Sequence, residues 1–183
     1  MIAGTARGTR LQAPGSATRP LGDRVKQTLF AILEPDLLGA HVLDLYAGSG
    51  AAGIEALSRG ATHATFVERD RVALRAIAAN LTGARLADRA TIVAADVIAW
   101  LVETDLAAAR PVSIVIVDPP YAEPDLLLAS LELVAPRLPV GAQVVAKHFW
   151  RDQPPERIGL LASARQRRFG DTALTFYRRE ENR

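Results

Sequence analysis

The stretch IVIVDPPYAEPD, residues 114–125, gathers residue types that can hold an amine. Four β-favouring apolar residues run into Asp118, Pro119, Pro120 and Tyr121. The carboxylate and the first proline carbonyl are two adjacent acceptors. The two prolines stiffen the loop and supply no competing N–H. An exocyclic amine on a nucleobase is a poor nucleophile because its lone pair is conjugated with the ring. If Asp118 and the Pro119 carbonyl each accept one N–H, the lone pair is freed and the developing positive charge meets fixed acceptors. Tyr121 can stack on the base, a contact worth about 1–3 kcal/mol. A base inside a duplex cannot enter such a pocket, so it must be unpaired or flipped. Without chemistry the same residues are a turn: Asp118 caps the next helix, the prolines stop the strand, and Tyr121 packs.

A second constellation is DLYAGSGAAG, residues 44–53, where Gly48, Gly50 and Gly53 match G-x-G-x-x-G. Such a loop lets the backbone pass close to a ligand and aims helix N–H groups at it. Alone it fits NAD, FAD and S-adenosylmethionine equally, or a purely structural turn. Asp44 sharpens the reading, because a carboxylate inside a strand end is costly unless it meets a cation or donor. A methionine ammonium is such a partner, whereas a pyrophosphate would be repelled. Glu68, 18 residues beyond Gly50 at the end of the second strand, suits ribose hydroxyls. Asp96, after the third strand, suits an adenine amino group or caps the following helix. Ala47, Arg69 and Val97 flank these positions and complete the expected cofactor set.

The elements that must position these residues follow from the hydrophobic pattern. DRVKQTLFAIL puts Val25, Leu29, Ile32 and Leu33 on one helical face. From residue 41 strands and helices alternate: HVLDLY, AAGIEALSRG, ATFVE, DRVALRAIAANL with Asp70 as N-cap, ATIVAA, DVIAWLVETDL, VSIVIVD, PDLLLASLELVAPRL and AQVVAKHF. The strands are continuous apolar runs, as when helices cover both sheet faces. The expected fold is therefore α/β, a doubly wound, mostly parallel Rossmann-like sheet. The tail RIGLLASARQRRFGDTALTFYRR predicts two strands turning at Gly170-Asp171, an antiparallel hairpin at the sheet edge. The first residues predict a small β-hairpin around ARGTRL, which gives an extension over residues 1–20 and a catalytic domain over 21–183. In a doubly wound sheet ligands bind beyond the carboxyl ends of strands at the switch point, so the glycine loop and DPPY are expected to share one crevice.

Length and composition bound the rest. The 183 residues suit one domain with a sizeable core, and almost half are hydrophobic. No apolar run approaches the roughly 20 residues needed to cross a bilayer. The first residues lack the apolar core of a signal peptide, so a cytoplasmic location is expected. The absence of cysteine excludes disulfides and thiolate chemistry. Charge is segregated. Residues 1–26 carry Arg7, Arg10, Arg19, Arg24 and Lys26 against Asp23, for +4. The middle, to residue 146, is −6, and residues 147–183 return to +4. Basic ends on an acidic body suit a polyanion-binding edge, or are ordinary solvated arginines. His41, His63 and His148 sit at segment edges and read as solvated. Trp100 and Trp150 read as packing. No metal site is expected.

Taken together, the motifs carry a resemblance. Asp-Pro-Pro-Tyr downstream of such a glycine loop resembles the motif of amino-group N-methyltransferases. IAGTARGTRL, TRP…DRVKQTLFAIL, VLDLYAGSGAAGIEALSRGA, VDPPY and FGDTALTFYRR, in that order, are similar to the bacterial 16S ribosomal RNA guanine-N2 methyltransferases of the RsmD type. The similarity spans nearly the whole chain. It implies S-adenosylmethionine as cofactor and one guanine N2 of 16S RNA as acceptor, in the small subunit or its precursor. It makes Asp118, Pro119, Pro120 and Tyr121 catalytic, Asp44 with the glycines the methionine-side loop, Glu68 the ribose ligand and Asp96 the adenine ligand. Arg7, Arg10, Arg19, Arg24, Lys26, Arg165, Arg167 and Arg168 are the expected RNA contacts, on a monomer. The chain departs from the family at Leu21-Gly22, where a threonine is usual after Arg-Pro. Three other readings stay open: a DNA adenine-N6 methyltransferase, a noncatalytic RNA-binding module, and an NAD-dependent oxidoreductase that Asp44 disfavours.

Overall fold

A computed structural model describes residues 1–14, 22–106 and 111–181. The chain divides into two compact units, Met1–Asp96 and Val97–Arg183. The boundary expected after residue 20 lies outside the described residues, as does Arg19.

In the first unit, α1 (Asp23–Leu37) buries Leu29, Phe30, Leu33 and Leu37 along one stripe. It outlasts its expected end and contains Pro35. The proline falls in the last turn, where it removes one ladder bond, and the buried Leu37 offsets that loss. Next come β1 (His41–Leu45), α2 (Ala51–Ser58), β2 (His63–Glu68), α3 (Arg71–Ala84) and, after a 3-10 turn, β3 (Ala90–Ala94). β2 pairs in parallel with both β1 and β3. β1 and β2 are buried runs, but β3 is largely exposed, with Ile92 at 38%. An apolar sequence thus misleads for β3. It is paired only with β2 in this unit, and its small side chains lie half in solvent. Asp70 caps α3 by accepting from the Val72 and Ala73 N–H groups, worth about 1 kcal/mol.

The expected N-terminal hairpin takes another form. Residues 1–14 contain turns and no strand. Their N–H groups find partners on α2 and α3 rather than on a sister strand. Ile2 and Ala3 donate to the two oxygens of Glu55, a fully buried carboxylate. Ala6 donates to Ser58 Oγ, and Gln12 to Asn80 Oδ1.

The second unit holds α4 (Val97–Glu103), β4 (Ile114–Val117), α5 (Pro124–Val134), β5 (Gln143–Phe149), β6 (Arg157–Ile158), β7 (Leu161–Phe169) and β8 (Thr172–Arg179). β4 and β5 are parallel, β8 runs antiparallel to β5, β7 pairs with β8, and the short β6 with β7. The tail hairpin therefore forms as expected, turning at Gly170 with φ +60°, and β6 adds a third antiparallel strand. No helix among the described residues is long and apolar enough to cross a membrane.

Candidate active site

The first unit holds the glycine loop and its carboxylates with backbone donors. Past the end of β1 the chain turns through Tyr46, a non-glycine residue at φ +60°, then Gly48 at +56° and Gly50 at +73°. A side chain in that left-handed region costs roughly 1–2 kcal/mol, the kind of strain that gathers at binding loops. Asp44 is 2% exposed and its Oδ2 accepts from Gly53 N at 2.8 Å, so the carboxylate holds the start of α2 against β1. Glu68 closes the loop from the other side. Its Oε2 accepts from Gly48 N at 2.8 Å, and its Oε1 from Arg69 N and Asp70 N at 2.8 and 2.9 Å. A carboxylate offers about four acceptor positions, which leaves room for one more donor. Asp96, directly before α4, pairs with Arg69 Nη1 at 3.2 Å, both well exposed. Ala47 bonds back to Val67 O, and Val97 is buried.

The glycines divide their labour. A Cβ on Gly53 would stand 2.3 Å from Phe66 Cε1 and 3.1 Å from Asp44 Oδ2, so this glycine admits packing and not a ligand. A Cβ on Gly48 would meet only Tyr46 O, at 4.0 Å. That open side of the loop, with the α2 N-terminus and the two carboxylates, fits a cationic nucleoside such as S-adenosylmethionine. Asn80, 3% exposed and unnoticed in the sequence, steadies the same loop. Its Nδ2 donates to Ser49 O at 2.9 Å and to Gln12 O at 3.0 Å, so one carboxamide ties the glycine loop to the N-terminal segment.

The second unit holds the Asp-Pro-Pro-Tyr motif with side chains. Asp118 follows β4, with its carboxylate 20% exposed, and Lys147 Nζ on β5 lies 2.6 Å from its Oδ1. Burial pushes the Asp118 carboxyl up from its ordinary value, while the charge and hydrogen bond of Lys147 pull it back. The same ammonium sits 5.0 Å from the centroid of the Tyr121 ring. Tyr121 Oη is hydrogen-bonded to Thr172 Oγ1 at 2.8 Å, which sets the ring's tilt from the first residue of β8. Pro119 is buried, and the Pro120 carbonyl accepts from Glu123 N in a tight turn. That leaves the Pro119 carbonyl beside Asp118 as the motif's second acceptor. Lys147 and Thr172 were not singled out in the sequence. The available signal was composition: Lys147 is one of two lysines among twenty arginines.

His148, read as solvated, is 3% exposed, between Thr175 Oγ1 and the Phe149 carbonyl. Burial holds it below its ordinary value. Its neighbours on β8 could not be read before the pairing of β5 with β8 was known. Arg7, Arg10, Arg24, Arg165, Arg167 and Arg168 are exposed. Lys26 is not; it is 7% exposed and faces Asp23 at 3.6 Å, because its α1 position points to the core. A cleft of about 490 Å³ lined by Leu128, Ala135, Pro155 and Ile158 contains none of the expected site residues.

A glycine loop at the end of β1, a carboxylate closing β2 and an Asp-Pro-Pro-Tyr motif after β4 define a Rossmann-like, S-adenosylmethionine-dependent methyltransferase. The solved structure of yhhF from Escherichia coli superposes with a TM-score of 0.84 at 33% identity, covering 98% of this chain and 96% of that one. An RNA methyltransferase from Salinibacter ruber, solved with S-adenosyl-L-homocysteine, shares the fold at TM-score 0.66 and 19% identity, over 90% of this chain and 95% of that one. The chain belongs to the family described as Conserved hypothetical protein 95, which it matches over residues 1–178, the family of the RsmD-type enzymes. YlbH of Bacillus subtilis, named a candidate rRNA methyltransferase, is 36% identical over 98% of both chains. Ribosomal RNA small subunit methyltransferase D of Escherichia coli K12 is 41% identical over 66% of this chain and 59% of its own.

Proposed function

We propose that the protein methylates the exocyclic N2 amine of one guanine in 16S ribosomal RNA, within the small subunit or its assembly precursor. The observation that carries this is the Asp118 carboxylate fixed by Lys147, with the Pro119 carbonyl and the Tyr121 ring beside it, in a chain of this family. S-adenosylmethionine, when bound, supplies an electrophilic methyl group on a sulfonium. Asp44, Gly48, Gly50 and Glu68 would hold it. Asp118 and the Pro119 carbonyl take one N–H each from the guanine amine. With the methyl donor bound, the two acceptors would leave the nitrogen lone pair free to take the methyl group, and the proton that the amine releases would pass to water. The carboxylate meets positive charge that exists only during transfer, the condition for raising turnover rather than ground-state affinity. Tyr121 covers the base. Arg7, Arg10, Arg24, Arg165, Arg167 and Arg168 contact phosphates, and the enzyme works as a cytoplasmic monomer.

The test offers labelled S-adenosylmethionine with undermethylated small subunits, free 16S RNA and DNA in parallel. Label is expected on a guanine N2 in the ribosomal substrates. Label in DNA alone, or in none while cofactor binding is intact, overturns the reading. Substituting Arg7→Glu and Arg10→Glu probes the arm better than deleting it, because removing residues 1–14 would take two backbone donors from the buried Glu55 carboxylate and leave it Arg59.

A further inference from the structure

Beyond Tyr121 the second unit carries a row of rings that neither the core nor the amine chemistry requires. The Tyr121 and Phe149 centroids are 6.4 Å apart, and those of Phe149 and Trp150 are 6.3 Å apart. Over the Trp150 ring lies the Arg168 guanidinium, its Cζ 3.6 Å from the centroid, and Arg151 Cζ is 4.9 Å away. Both arginines are exposed, and Phe149 and Trp150 are half-buried.

The row is held by backbone rather than by core packing. Trp150 N donates to Asp171 O at 3.0 Å, Asp152 N to Phe149 O at 3.0 Å, and Arg168 Nε to Gly170 O at 2.9 Å. Strand end and hairpin turn therefore present indole and guanidinium together as a fixed, layered surface. An exposed cation–π pair contributes little to folding, so stability alone gives weak reason for it. A guanidinium plane is poorly hydrated and stacks readily, and unpaired RNA is recognised by stacking on aromatic rings and arginine planes. Arg165 and Arg167 are exposed on the opposite face of the strand that carries Arg168, and Asp152, Glu156 and Asp171 are the acidic residues of the immediate loops.

We propose that Trp150 and Arg168 form a stacking platform for an unpaired nucleotide flanking the target guanine, so that Tyr121 takes the flipped base and Trp150–Arg168 takes its neighbour. This rests on the function proposed above. The occupant is single-stranded RNA, because an exposed guanidinium layered on an indole offers a flat cationic face to an unpaired base.

The experiment uses the full chain and single-turnover methylation of undermethylated small subunits and of free 16S RNA. Trp150→Ala and Arg168→Ala should raise the half-saturating concentration of both substrates, by roughly five- to a hundredfold for Trp150→Ala. The rate at saturation should change little, and calorimetric affinity for S-adenosylhomocysteine should not change. Trp150→Phe should restore most of the loss, because a ring is retained. In a Trp100→Phe background the remaining Trp150 fluorescence should be quenched by short single-stranded oligoadenylate and not by the same length of duplex. Unchanged half-saturation in folded Trp150→Ala and Arg168→Ala overturns the platform while the methylation reading stands. A loss seen with small subunits but not with free RNA overturns it as well, because the surface would then meet ribosomal protein. Quenching by oligoadenylate in an enzyme that methylates no ribosomal substrate keeps the platform and rejects the function.

Discussion

Asp44 and Asp118 both stand at the carboxyl end of a buried strand, yet opposite kinds of partner restrain them. Asp44 is held by a backbone N–H of Gly53, nine residues along the chain, and Glu68 nearby is held by three more backbone donors. Asp118 is held by a side-chain cation 29 residues away, and Tyr121 by a hydroxyl 51 residues away. A backbone donor carries no titratable charge and cannot be removed by substituting one side chain. The glycine loop is therefore preorganised by the fold. The Asp-Pro-Pro-Tyr motif depends on one ammonium whose charge offsets the burial of one carboxylate. The glycine loop should yield to backbone-directed changes, the Asp-Pro-Pro-Tyr motif to single side-chain replacements and pH.

The largest break should come at Asp118. Asp118→Ala is expected to cost roughly two to three orders of magnitude in single-turnover rate, as for loss of one preorganised electrostatic partner. Folding and S-adenosylhomocysteine affinity should persist. Asp118→Asn should be milder, since an amide oxygen still accepts one N–H. A folded Asp118→Ala protein working at the normal rate would return DPPY to a mere turn.

Lys147→Met comes next, at roughly ten- to a hundredfold in rate near neutral pH. Lys147 pulls the Asp118 carboxyl down against burial. Without it the carboxylate protonates at higher pH, so the acid limb of the pH–rate profile should move upward. Lys147→Arg should return the limb most of the way. A profile that stays put would mean the ammonium has no hold on Asp118.

In the glycine loop the sharper probe is a methyl group. Gly53→Ala forces a Cβ against Phe66 and should lower stability by about 1–3 kcal/mol, read as a fall in melting temperature. Gly48→Ala has open space and should cost only the left-handed backbone term, about 1 kcal/mol. Equal losses would mean that Gly53 is not packed as described.

The smallest effect is a pH slope. His148 is held below its ordinary 6.5 chiefly by burial, with Phe149 O and Asp152 opposing. The unfolded chain therefore binds this proton first. The stability His148 contributes is whole above that value and is lost as pH falls, at no more than about 1.4 kcal/mol per pH unit for one proton. Thermal melts between neutral and mildly acidic pH should show the decline, and His148→Gln should flatten it.

What the sequence determined by itself was local. The glycine loop, the Asp70 cap, the turn at Gly170 and the alternation of strand and helix depend on residues within a turn or two of one another, and short-range sterics and hydrogen bonding decide them. The DPPY motif is local in the same sense, since its acceptors are consecutive atoms of one stiff loop. The tertiary structure decided what depends on register. The pairing of Val117 with Ala146 carries Lys147 to Asp118, and the pairing of Phe149 with Thr172 brings the Thr172 hydroxyl to Tyr121. It likewise buried His148 and Lys26, exposed β3, and set Asn80 against Gln12, 68 residues earlier. Local patterning does not specify which residues of distant strands stand side by side. A shift of one residue in β5 would turn Lys147 to the other face and leave Asp118 without its cation.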